Sequence, residues 1–154
     1  MRIRKNIILI TLIIITAMLF TACGGSKEVL SAEDFKSMMT NAGHPVEDVT
    51  HIYDAPDIKT ILLSHTGDFM VEFVVYDSEA VARTAFYNVR RNLEDARGRV
   101  VSHTSVSRAN FSRFAQTTEG RFEVLSRVEN TIVIILTTTE HRSAANAIMD
   151  KLGY

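Results

Sequence analysis

The chain has 154 residues, enough for one domain and short for two. Its 17 basic and 18 acidic side chains leave a net charge of −1, which offers no electrostatic basis for nucleic-acid binding. Cys23 is the single cysteine, so the folded part is expected to hold no disulfide, no cysteine-based metal centre and no thiol nucleophile.

The chain opens MRIRKNIILITLIIITAMLFTAC. Arg2, Arg4 and Lys5 form a positive start. Ile7 to Phe20 follow without a charge, and only Thr11 and Thr16 interrupt the apolar run. That run suits a secretory signal and falls short of the ~20 apolar residues of a membrane-spanning helix. Leu19-Phe20-Thr21-Ala22-Cys23 then resembles the lipobox of bacterial lipoproteins, with small residues before the cysteine and Phe20 where Leu is preferred. The resemblance implies cleavage before Cys23, a diacylglyceryl group on its sulfur, and an anchor on the outer face of the cell membrane. Two acyl chains on one residue suffice for stable anchoring at about 0.8 kcal/mol per buried CH₂. The division expected is a signal peptide over 1–22, lipidated Cys23 and a Gly24-Gly25-Ser26 tether over 23–29, and one domain over 30–154.

Leu30-Ser31-Ala32-Glu33-Asp34-Phe35 reads as a helix start. Ser31 is the N-cap, Asp34 completes a variant capping box, and Leu30 and Phe35 form a staple. Phe35, Met38, Met39 and Ala42 fall on one face, Gly43 ends the helix and Pro45 prevents continuation. A loop runs through Asp48, His51, Asp54 and Asp57. Thr60 to His65 and Phe69 to Tyr76 read as strands around Thr66-Gly67-Asp68. Ser78 caps a long helix predicted over Glu79 to Arg97, with Ala82, Ala85, Phe86, Val89 and Leu93 buried and Gly98 ending it. Arg99 to Ala109 has no decided period; Val100, Val101 and Val106 are compatible with an edge strand.

Phe111 to Thr117, Arg121 to Val128 and Thr131 to Thr137 alternate around Glu119-Gly120 and Glu129-Asn130, the pattern of two tight hairpins. Thr131 to Leu136 is apolar on both faces and is expected at the centre of the sheet. A last helix over about Glu140 to Leu152 should bury Ala144, Ala145, Ile148 and Leu152. The fold class expected is α+β, an antiparallel sheet of about five strands packed with three helices in the order α-β-β-α-β-β-(β)-α. The stretches SAEDFKSMM, RFEVLSRVENTIVII and the final LGY resemble small lipoproteins of Gram-positive bacteria, a likeness that implies no assigned activity.

No phosphate-binding glycine loop, H-E-x-x-H, G-x-S-x-G or S-x-x-K motif is present. Asp48, His51, Asp54 and Asp57 have a spacing that suits a hard cation, but they lack the fixed glycine and alternating acids of a calcium loop. A solvated acidic loop is the preferred reading, and no metal or cofactor is expected. Ser64 and His65 are adjacent on a strand, so they diverge and form no relay with Asp68.

Charge is divided unevenly along the chain. Gly24 to Ala82 holds 3 basic and 11 acidic side chains, net −8, and Arg83 to Tyr154 holds 11 basic and 7 acidic, net +4. Ten of those eleven basic groups are arginines, whose planar fork suits carboxylate and phosphate. Arg90, Arg91, Arg97, Arg99, Arg108 and Arg113 are thus candidates for a patch that meets an envelope protein or an anionic envelope polymer. The preferred expectation is that the two halves interleave and their charges neutralise each other as surface pairs. The function expected is a non-enzymatic, partner- or ligand-binding domain at the cell envelope. An accessory subunit of a neighbouring membrane protein is the alternative, and an envelope enzyme ranks third.

Overall fold

The computed structural model describes residues 26–96 and 98–154. Among them the order is α1 (Ala32–Asn41), β1 (Glu47–Asp48), a 3₁₀ turn (Thr50–Ile52), β2 (Ile58–Thr66), β3 (Phe69–Tyr76), α2 (Glu79–Asp95), β4 (Val100–Ser107), β5 (Phe111–Thr118), β6 (Arg121–Val128), β7 (Thr131–Thr138), a second 3₁₀ turn (Thr139–His141) and α3 (Arg142–Leu152). All strand pairs are antiparallel, and the sheet runs β1-β2-β3-β7-β6-β5-β4.

This corrects the expected fold: the sheet has seven strands rather than about five, and the element order gains two strands. The first addition, β1, is two acidic residues, too short to show a period. The second, β4, resolves the undecided stretch after Gly98. Its residues from Val101 to Ser107 are exposed on both faces, so no burial pattern was written into them. The apolar Thr131 to Leu136 segment does lie at the centre, because β7 is the fourth of seven strands.

The α1 N-terminus forms as its residues dictate. Ser31 Oγ accepts from the Asp34 N–H at 3.0 Å and donates to Asp34 Oδ2 at 2.8 Å. Gly43, at φ +85°, takes the left-handed position that lets the His44 N–H reach Met39 O at 3.0 Å. Ala42 is exposed, so the buried stripe of α1 is Phe35 and Met39. In α2 the helix ends at Asp95, two residues short of the predicted end, and Ala82 and Phe86 are its buried residues. The last helix starts later than expected because Thr139–His141 winds as 3₁₀. Met149, rather than Ala144, is buried there with Ala145 and Leu152.

Period-two alternation sorts each strand onto two faces. One face is covered by α1 and α3 and holds Phe73, Val71, Phe122, Val124, Val133 and Ile135. The other is covered by α2 and holds Phe114, Leu125, Ile132, Val74 and Ile61. Phe35 stacks on Phe73 with ring centroids 4.7 Å apart, tying α1 to the sheet. The turn between β6 and β7 uses Glu129 at φ +48°, the only non-glycine with positive φ among the described residues. Asn130 therefore does not supply the left-handed residue. Its side chain and carbonyl instead join Tyr76, with Nδ2 donating to Tyr76 O and Asn130 O accepting from the Tyr76 N–H, both at 2.9 Å.

Candidate functional site

Cys23 and the tether before Ser26 lie outside the described residues, as does Arg97. From Ser26 onward the chain is fastened to one end of the sheet. Asn110 Nδ2 donates to Lys27 O at 3.0 Å, Lys27 Nζ donates to Gly153 O at 2.9 Å, and the ammonium sits 4.4 Å from the centre of the Phe111 ring. Burial and then the neighbouring Arg113 pull the Lys27 ammonium below the usual lysine range. A surface cavity of about 490 Å³ opens beside it, lined by Lys27, Arg108 and Asn110 and by the apolar Val106, Ala109 and Phe111. The chain from Ser26 thus enters the domain beside the turn between β4 and β5.

The candidate arginines are not gathered on one face. Arg90, on α2, is tied to Glu94 at 3.2 Å, donates to Ser105 Oγ at 3.1 Å and lies 5.0 Å over the Phe114 ring. Arg113 belongs to the opposite face, where it donates to Tyr154 O at 3.1 Å and to Asn146 Oδ1 at 2.9 Å. Both guanidinium groups serve internal contacts. Arg91 is exposed on α2. Arg99 and Arg108 are exposed at the two ends of β4, and Arg99 approaches Glu119 at 3.8 Å.

The structure also shows a basic residue whose burial the sequence did not reveal. Arg127 on β6 is 1% exposed and donates to Glu79 Oε1 at 3.2 Å and to Glu129 O at 2.9 Å. Glu79 accepts from Arg83 as well, at 2.8 Å. The Arg83 hydrogen bond holds its carboxyl below the usual range, with smaller help from Arg127. Arg127 ties the α2 N-terminus to the β6–β7 turn and acts as a structural clamp. Nearby on the same face, Gln116 Nε2 donates to both Glu123 and Leu93 O, joining β5 and β6 to the end of α2. Alternation sets Glu123, Leu125 and Arg127 on one face of β6, and α2 covers that face.

Charges remain segregated in the fold, which corrects the expected interleaving of the two halves. Among the described residues, the ion pairs of the arginine-rich half run mostly within that half: Arg90–Glu94, Arg99–Glu119, Arg113–Asp150 and Arg121–Glu123. Glu79 is the acid that pairs across the divide, with Arg83 and Arg127. Strand order converts this sequence asymmetry into a spatial one. The acidic half supplies the β1 side of the sheet and the basic half the β4 side.

No group of three or more metal-ligating side chains converges among the described residues. Asp48 of the candidate cation loop instead accepts from the Thr50 N–H at 2.9 Å and from Thr50 Oγ1 at 2.6 Å. The Thr50 hydroxyl and then its backbone hold the Asp48 carboxyl below the usual range. Ser64 is buried and His65 exposed on β2, on opposite faces as alternation requires. No helix among the described residues is long and apolar enough to cross a membrane.

No family model and no curated protein matches the chain. Among solved structures it is similar to the extracellular domain of PknH from Mycobacterium tuberculosis, with 14% sequence identity over 80% of this chain and 92% of that one. The TM-score is 0.38, which assigns no shared fold.

Proposed function

We propose that this chain is an exported lipoprotein, anchored through diacylated Cys23 on the outer face of the cell membrane, whose domain binds an envelope partner rather than catalysing a reaction. The observation that carries the anchor is the order of Arg2-Ile3-Arg4-Lys5, the uncharged Ile7 to Phe20, and Leu19-Phe20-Thr21-Ala22-Cys23. The geometry adds a constraint. Only Gly24 and Gly25 separate Cys23 from Ser26, so Cys23 and Ser26 are at most about 11 Å apart along an extended chain. The end of the sheet holding Lys27, Arg108 and Asn110 then lies against the membrane, within reach of neighbouring membrane proteins. That reach favours an accessory role beside such a protein.

Mass analysis of the N-terminal peptide from the membrane-extracted protein tests the anchor. The expected product begins at Cys23 and carries a diacylglyceryl group. A peptide that begins at Met1, or an unmodified Cys23, sinks the proposal.

A further inference from the structure

We infer that β4 is an open edge for strand addition, and that its occupant is an extended segment of a different protein, uncharged along its middle and acidic at both ends. The inference deepens the partner-binding part of the proposed function and does not depend on the lipid anchor.

The edge itself is the first observation. Val100–Ser107 has the sequence VVSHTSVS, with no charged residue and no proline. It is bonded on one side to β5, and no strand pairs with its other side among the described residues. Eight residues give an edge about 26 Å long at ~3.3 Å per residue. Edges of this length are normally blunted by lysine, proline or covering structure, because unpaired N–H and C=O groups template pairing with another chain. Here a register shift between Val100 and Ser102 disturbs one end only. Val101 and Val106 are 66% and 47% exposed, an apolar cost with no internal use.

The second observation fixes which groups point outward. At the turn, the Arg108 N–H donates to Phe111 O at 2.6 Å, and the Glu129 N–H donates to Asn110 O at 2.8 Å. Antiparallel ladders alternate residue by residue. Ser102, Thr104 and Val106 therefore turn their backbone groups toward β5. His103, Ser105 and Ser107 turn theirs away. An added strand would meet three N–H and three C=O groups, the main-chain recognition of strand addition.

Charge selects the occupant. Arg99 and Arg108 bracket the edge, and the whole β4 side belongs to the basic half. A second copy paired antiparallel about Thr104 would set Arg108 of one molecule opposite Val100 of the other, next to its Arg99, at both ends, and this gathering of like charge disfavours the pair. Pairing β4 with the acidic edge of another copy fails on length, because β1 has only two residues. A foreign segment with an acid at each end meets both arginines favourably.

The test uses the full chain in detergent micelles and two fluorescent peptides of one sequence, Thr-Val-Thr-Val-Thr-Val-Thr, flanked by glutamates or by lysines. The acid-flanked peptide should saturate below about 1 mM and bind about fivefold tighter than its lysine-flanked twin, the ratio expected from two exposed ion pairs. Arg99→Glu with Arg108→Glu should reverse that order. His103→Pro should abolish binding while leaving the circular dichroism spectrum unchanged, because it removes an outward N–H that β5 does not use. Equal binding of the two peptides overturns the charge assignment. Unchanged binding by the His103→Pro variant, or none up to about 1 mM, overturns the edge. A dimer in sedimentation that His103→Pro dissolves would assign the edge to a second copy instead.

Discussion

At one edge of the sheet stands β1, two residues long and acidic at both; at the other stands β4, eight residues long and uncharged throughout. The first edge is closed by local structure. The Val49 N–H donates to Ile61 O at 3.0 Å and Thr50 Oγ1 accepts from the Ile61 N–H at 2.8 Å, so the 3₁₀ turn takes up backbone groups of β2 that a short β1 leaves free. His44 meets Thr66 Oγ1 at 3.3 Å farther along the same strand. Nothing comparable covers β4 among the described residues. The contrast shows that this fold closes an edge with a turn, a threonine and acidic side chains where closure is needed. Among the described residues the β4 edge has none of these devices and keeps two exposed valines, Val101 and Val106.

The comparison can be broken most severely at the centre. Phe73→Ala, under α1 and α3, should cost about 3–5 kcal/mol of unfolding free energy, whereas Val101→Ala at the open edge should stay within about 0.5 kcal/mol. Urea denaturation of both variants checks this. A cost at Val101 near that at Phe73 would mean the edge is buried by something that closes it.

The closed edge has an intermediate sensitivity. Thr50→Val removes the acceptor for the Ile61 N–H and the donor to Asp48, and should cost about 1–2 kcal/mol. It should also change the acid response. The folded pKa of Asp48 lies below its usual 3.8, so its contribution is fully present above about pH 4 and is lost as pH falls through that lower value. Asp48 is exposed, so solvent screening keeps this contribution small. Denaturation midpoints between about pH 5 and 2 should fall less steeply in Thr50→Val than in the parent over that window. Parallel curves would show that the Thr50 hydroxyl does not hold the carboxyl down.

Much of the sheet was legible because burial writes a pattern. β3 and β6 have the limits read from their alternation, and β7 declared its central place through apolar residues on both faces. The edges were not legible for the opposite reason. Glu47-Asp48 is too short to have a period, and the β4 residues from Val101 to Ser107 are all exposed, so they carry no burial pattern. The arginine count signalled an electropositive region, but composition could not separate Arg127, clamped inside against Glu79, from Arg99 and Arg108 outside. That distinction depends on where α2 crosses the sheet, a property of tertiary packing.

Residue-resolved amide hydrogen exchange on the full chain tests the open edge most directly. Thr104 and Val106, bonded to β5, should exchange slowly, while His103, Ser105 and Ser107 between and beside them should exchange at nearly the rate of unstructured chain. Slow exchange at all five residues would show a covered edge, and fast exchange at all five would show no strand; either result contradicts the account.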